Sequence, residues 1–174
     1  GIDARGIQFQ RTDNLRIEDI VLLNDINWST FISESDNVNI SNYKVVAVEN
    51  PNNKTGCEND ALDILGCQNV TVKGCFGYAH DDVFCIKSQK WTYKGEVKNV
   101  RFEDCIAWNY LSGNSFVIGA ETNENISGVT YRNCQSIHSA GRGTDNTLSR
   151  GGLSILHCAG GHISDIRFEN IILE

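Results

Sequence analysis

The sequence predicts an all-β protein wound as a right-handed parallel β-helix, a solenoid of about six rungs. Three observations predict it. One seven-residue phrase recurs six times. Apolar residues alternate within each copy, which marks a strand, and Asn, Asp or Gly near its end marks a turn that tolerates left-handed backbone. A second family of short strands, each ending on Ile, lies between the copies. Repeats of this length bury an apolar face only by stacking on their neighbours.

In chain order the copies are Asn14-Leu-Arg-Ile-Glu-Asp-Ile20, Asn37-Val-Asn-Ile-Ser-Asn-Tyr43, Asn69-Val-Thr-Val-Lys-Gly-Cys75, Asn99-Val-Arg-Phe-Glu-Asp-Cys105, Gly128-Val-Thr-Tyr-Arg-Asn-Cys134 and Asp165-Ile-Arg-Phe-Glu-Asn-Ile171. Their starts are 23, 32, 30, 29 and 37 residues apart. The second and fourth positions are apolar in every copy. The seventh is apolar or Cys. Cys75, Cys105 and Cys134 share it in successive copies, which predicts a ladder of small buried side chains. The chain has 7 Cys, an odd count, so at least one has no partner within it. No CxxC pair occurs and no Cys-to-His spacing fits zinc, so neither a metal nor another cofactor is expected.

Residues 1–174 read as one β-helix domain. Gly1-Ile-Asp-Ala-Arg-Gly-Ile-Gln-Phe9 already resembles part of a rung, and Asn170-Ile-Ile-Leu-Glu174 lies within a repeat. Solenoids need polar caps, so a parent chain extending beyond both ends is expected. The net charge of −7 argues against nucleic acid or an anionic membrane surface as partner, and mildly against a polyanionic substrate. No apolar run approaches the roughly 20 residues of a membrane span.

The second strand family comprises Trp28-Ser-Thr-Phe-Ile32, Asp60-Ala-Leu-Asp-Ile64, Asp82-Val-Phe-Cys-Ile86, Asn114-Ser-Phe-Val-Ile118 and Gly151-Gly-Leu-Ser-Ile155. Stacked in parallel, their leading positions form a column of Trp28, Asp60, Asp82, Asn114 and Gly151. One step earlier run Asn27, Asn59, Asp81, Gly113 and Arg150. Like charges one rung apart repel. Adjacent strand residues face opposite ways, so Asp81 and Asp82 reach one groove only from a turn that leads into the strand. Three crowded carboxyls cannot all ionise normally; one is expected to hold a proton, which sets an acid beside a base. Glycoside hydrolysis uses that equipment. Asp residues at turns are common for structural reasons alone. An adjacent pair in register with a third is what raises the catalytic reading.

Glu58-Asn-Asp-Ala-Leu-Asp-Ile64 followed by His80-Asp-Asp-Val-Phe-Cys-Ile-Lys-Ser88 resembles the signature of glycoside hydrolase family 28, the polygalacturonases. That family has an Asn-Thr-Asp-Gly strand, an Asp-Asp strand one rung on, then Gly-His-Gly and Arg-Ile-Lys strands. Ser112-Gly-Asn-Ser-Phe-Val-Ile-Gly119 is similar to the third element, with Asn114 where the family has His. Gly152-Leu-Ser-Ile-Leu156 is similar to the fourth, with Ser154 and Leu156 in place of Arg and Lys. Those two cations hold the galacturonate carboxylate in the family, so their replacement implies a neutral sugar. Asp81-Asp-Val-Phe-Cys-Ile-Lys87, Ile106-Ala-Trp108 and Gly128-Val-Thr130 with Ile137-His138 are similar to family 49, dextranases and isopullulanases, of the same inverting clan. The resemblance implies Asp81 as general acid and Asp60 with Asp82 as holders of the attacking water. Inversion would place acid and base roughly 6.5–9.5 Å apart. It also implies that Lys87 lines the site, to lower a neighbouring Asp pKa or to bind a sugar hydroxyl.

The remaining substrate-binding candidates are His80, Asn114, Glu121, Trp91 and Arg150. Trp91 lies in the insertion Gln89-Lys-Trp-Thr-Tyr-Lys-Gly95, a plausible cleft wall. Trp28, Trp108 and Tyr110 are further stacking platforms, and the Gly-rich stretch 139–149 is expected to form another loop over the groove. The expectation is therefore an inverting hydrolase of a polysaccharide or its fragments, secreted, periplasmic or at the cell surface. The alternative is a non-catalytic carbohydrate-binding or adhesin-type β-helix. A lyase or epimerase lacks its usual calcium or basic pattern here.

Overall fold

The computed structural model describes residues 6–23, 28–47, 59–110, 112–139 and 151–174. Every regular element among them is a strand, and the strands stack into three parallel sheets of six. The first sheet contains β1 (Ile7–Gln10), β4 (Thr30–Ser33), β7 (Leu62–Leu65), β10 (Phe84–Ser88), β13 (Phe116–Thr122) and β16 (Leu153–His157). The second contains β2 (Arg16–Glu18), β5 (Asp36–Ser41), β8 (Gln68–Lys73), β11 (Val97–Glu103), β14 (Ile126–Arg132) and β17 (Ile163–Glu169). The third contains β3 (Val21–Leu23), β6 (Lys44–Val46), β9 (Phe76–Ala79), β12 (Ile106–Asn109), β15 (Gln135–Ser139) and β18 (Ile172–Leu173). Each turn of the chain adds one strand to each sheet. This is a parallel β-helix of six rungs. The third sheet escaped the sequence pattern because its strands are short and lack a shared residue.

The recurring phrase supplies the second sheet in the expected register. Ile17, Ile40, Val72, Phe102, Tyr131 and Phe168 stack as one inward column. The rings at its aromatic end stack nearly parallel: Phe102 and Tyr131 lie 4.9 Å apart at 10°, and Tyr131 and Phe168 lie 5.2 Å apart at 6°. Offset aromatic pairs stabilise beyond their buried area by about 0.5–1.5 kcal/mol. The sixth position is left-handed in all six copies, and so is the first, with φ between 46° and 67°. Asn is chosen there because its short amide tolerates this backbone. The amides also bond from rung to rung, as Asn99 Nδ2 to Asn69 Oδ1 (3.0 Å) and Asn170 Nδ2 to Asn133 Oδ1 (2.9 Å). Cys75, Cys105 and Cys134 form the expected buried ladder of free thiols, each donating to backbone carbonyls.

The first sheet differs from the others. β4, β7 and β10 are buried at every position, whereas β5 and β8 alternate. Both faces of the first sheet are therefore covered over β4, β7 and β10. The outward column Phe31, Asp63, Cys85 and Val117 is fully enclosed. Part of the cover is the insertion after β10. Tyr93 packs edge-on against Phe31 at 4.5 Å, and the Lys94 N–H donates to Glu34 Oε1 at 2.9 Å.

Candidate active site

β9 ends at Ala79 and β10 begins at Phe84, so Asp81 and Asp82 occupy the turn between the third and first sheets. Asn59 and Asp60 lead into β7 in the same way, and Asn114 leads into β13. Backbone bonds knit these turns together: Ala61 N to Asp82 O (3.0 Å), Val83 N to Asn114 O (2.8 Å) and Ser115 N to Gly151 O (3.1 Å). The column expected from the sequence is thus present, two residues ahead of the register Thr30, Leu62, Phe84, Phe116 and Leu153. Asp60, Asp81 and Asp82 each bring an oxygen within 4.8 Å of the others.

Asp60 is buried, and both its oxygens are engaged. Oδ1 accepts the Asp82 backbone N–H at 3.2 Å, and Oδ2 accepts Lys87 Nζ at 2.7 Å. Lys87 also donates to Asp63 Oδ1 at 2.8 Å and sits 4.1 Å from the centre of the Trp28 ring. The Lys87 and Asp60 side chains are 5% and 4% exposed and that of Asp63 is fully buried, so solvent screens this group little. Burial opposes the Lys87 charge, yet Asp60 and Asp63 together hold its ammonium well above the ordinary lysine range. Two of its three N–H donors are given to these carboxylates and the side chain is buried, which leaves it poorly placed to reach a sugar hydroxyl.

Asp82 is partly exposed. Its Oδ1 accepts two bonds from Asn114, from the backbone N and from Nδ2, both at 2.8 Å. The Asn114 amide is itself oriented, because its Oδ1 accepts Ser154 Oγ at 2.5 Å and Gly151 N at 3.1 Å. Burial first, and the Asp60 charge second, push the Asp82 carboxyl up to about 6; Lys87 and the Asn114 bond oppose the rise. A folded-state value above the unfolded one favours the folded chain at low pH. This contribution declines as pH rises from the ordinary carboxyl range through about 6, and is flat above it. Asn114→Ala removes the Nδ2 bond and is expected to move the Asp82 midpoint above about 6. Carbon-13 NMR of the labelled aspartates, titrated in both proteins, measures the shift.

Gly113 adjoins the pair from the next rung at φ 77°. A Cβ there would stand 2.6 Å from the Asp81 carbonyl carbon and 2.7 Å from Asp82 N. Glycine is required both for the backbone and for the approach. From the same rung, Asn109 Nδ2 donates to the carbonyls of Asp81 (2.5 Å) and Ser112, which locks the turn. Gly113→Ala is expected to cost about 1–3 kcal/mol, the range for a strained backbone position. It should also displace the two carboxylates, as read by urea unfolding and aspartate chemical shifts.

The other candidates are less uniformly placed. His80 is buried against the rings of Tyr110 (5.2 Å) and Tyr78 (6.2 Å), so it is enclosed rather than presented to a cleft. Glu121 is partly buried on β13 and adds to the field that holds Lys87 charged. Trp91 is 72% exposed at the tip of the insertion. Trp108 and Tyr110 are partly exposed on the third-sheet side, around Tyr78. Arg150, Asn27 and most of the stretch 139–149 lie outside the described residues.

Sequence reasoning missed Asp63, Asn109 and the roles of Gly113 and Ser154. Asp63 carried a usable signal. It is the charged member of an outward column otherwise made of Phe31, Cys85, Val117 and Ser154, and Lys87 stands on the same face one rung on.

The family model described as "Glycosyl hydrolases family 28" matches residues 3–174. A curated relative, "Exopolygalacturonase clone GBGE184" of Arabidopsis thaliana, is 28% identical over 97% of the chain. The chain spans 36% of the length of that relative.

Proposed function

Because the chain belongs to glycosyl hydrolases family 28, we propose that it carries the catalytic carboxylates of an enzyme that hydrolyses glycosidic bonds in a polysaccharide or its fragments. The observation that carries the reading is the convergence of Asp60, Asp81 and Asp82 within 4.8 Å at the mouth of one sheet. Asp81 donates its proton to the departing glycosidic oxygen. Asp82, as carboxylate, takes a proton from the attacking water, which Asp60 helps to orient. Rate should therefore fall as pH drops through about 6, where Asp82 takes up its proton.

Inversion at the anomeric carbon follows from a water held by Asp60 and Asp82. Their crowded hydrogen bonding supports this, since both Asp60 oxygens and Asp82 Oδ1 already accept donors and are weakened as nucleophiles. A retaining mechanism is the alternative. Retaining enzymes place their carboxyls roughly 5–5.5 Å apart for direct attack. Proton NMR of the first anomer released separates the two.

A neutral sugar at the cleaved bond is supported by the charges present. Asp60, Asp81 and Asp82 converge at the site with Glu121 close enough to act on Lys87, and Lys87 is already committed to Asp60 and Asp63. Ser154 and Leu156 stand where the resemblance has cations, and Ser154 is spent on Asn114. Galacturonan is the competing substrate, because the Arabidopsis relative is named an exopolygalacturonase. Sugar release from dextran, pullulan, polygalacturonate and rhamnogalacturonan by the intact protein tests both. Release that vanishes with Asp81→Asn supports hydrolysis and names the sugar. No release, with both proteins retained alike on one polysaccharide, moves the reading to a binding module. Such a substrate would be met outside the cell or in the periplasm. Among the described residues no helix is long and apolar enough to cross a membrane.

A further inference from the structure

One of the three carboxylates, Asp60, also belongs to a buried group with a second acid, Asp63, and one cation, Lys87. Lys87 Nζ stands 2.7 Å from Asp60 Oδ2 and 2.8 Å from Asp63 Oδ1, with all three side chains at most 5% exposed. Other groups face them from the neighbouring rungs. Cys85 and Asp82 do so from the rung of β10, Glu121 from β13, and the Trp28 ring from ahead of β4. None of these supplies a second positive charge. Two buried carboxylates against one ammonium leave one uncompensated charge, which costs several kcal/mol in such a place. A proton removes that cost.

Hydrogen bonding says which carboxyl takes it. Asp60 has a donor on each oxygen, the Asp82 N–H and Lys87. Asp63 has one donor, on Oδ1, while its Oδ2 is buried without a partner among the described residues. Donors stabilise the ionised form, so the proton belongs on Asp63. Burial first, and the Asp60 charge in addition, push the Asp63 carboxyl well above its ordinary range against the pull of Lys87.

We propose that Asp63 is a positioning residue of this site: as a neutral acid it accepts one Lys87 N–H, aims the ammonium, and leaves the positive charge to Asp60. The proposal deepens the hydrolase reading and rests on it for the consequence in turnover. The titration that activity senses near neutrality is then left to the cleft residues.

Two measurements test it. At mildly alkaline pH, where Asp82 is ionised, the infrared spectrum should keep the C=O stretch of a buried carboxylic acid, and Asp63→Asn should abolish that band. A spectrum without the band, or a band that survives in Asp63→Asn, overturns the proposal. In the intact protein, acting on the polysaccharide it hydrolyses, Asp63→Asn retains the acceptor and should keep kcat within about threefold with an unchanged pH profile. Asp63→Leu removes the acceptor and should lower kcat by about tenfold or more with KM little changed. Equal damage by Asn and Leu overturns the neutral-acid role, and a harmless Leu overturns the positioning role. If Asp63→Leu fails to fold, the Asn variant and the band decide. If no polysaccharide is cleaved, the hydrolase reading fails, while the band still decides the protonation of Asp63.

Discussion

Asp81→Asn should lower kcat by about 10²–10⁴-fold, the range for loss of a positioned general acid, while polysaccharide binding stays within a few fold. The substitution keeps the shape of the side chain and removes its transferable proton. Its backbone anchors do not depend on the carboxyl: Asp81 O still accepts Asn109 Nδ2, and Gly113 still closes the turn. A fall in kcat with KM unchanged would mark an interaction made only in the transition state. A fall in affinity of the same size would assign Asp81 to binding and sink its role as acid. Single-turnover rates and retention on immobilised polysaccharide, measured on the intact protein, separate these outcomes.

Lys87→Met should destabilise the fold by about 3–5 kcal/mol, the cost of breaking a buried ion pair from one side. Met keeps most of the aliphatic stem against Trp28, so the loss is chiefly electrostatic. The Asp60 charge is then stranded, with the Asp82 N–H and the weak Cys85 thiol as its donors among the described residues. Surface ion pairs of this protein offer the contrast. Arg16 with Glu18 is largely exposed and screened by solvent, and its removal should change stability little. The sign with pH is also set. Without Lys87 the carboxyls below the cleft hold protons more tightly when folded. The deficit is therefore full at neutral pH and narrows as pH falls toward the ordinary carboxyl range. Urea unfolding across that interval measures it. A deficit that does not narrow would mean that packing, rather than charge, is what Lys87 supplies.

Both predictions turn on residues whose importance was unequally visible in the sequence. Asp60, Asp81 and Asp82 stood out because register is arithmetic. Once the phrase and the Ile-ending strands are aligned, a solenoid stacks equal positions, and the carboxylates must meet. The turn occupied by Asp81 and Asp82 was legible for the same reason, since strand alternation forbids both from facing one groove otherwise. The left-handed Asn and Asp at the sixth position were legible from their side chains. The matching left-handed conformation at the first position was not, because a lone Asn ahead of a strand has several structural uses.

The chain by itself therefore determined the parallel β-helix, the rung spacing and the stacking of Asp60 on Asp82 with Asp81 beside them, because each depends on periodicity and backbone preference. Tertiary structure alone decided what surrounds them. It covered the outer face of the first sheet, so that Asp63 and Lys87 became a buried ion group instead of a solvated pair. It enclosed His80 between Tyr78 and Tyr110, and it brought Ser154 to orient Asn114. These outcomes depend on which segments fold over a sheet and exclude water from it. Burial governs charge, and no periodic pattern along the chain encodes that cover.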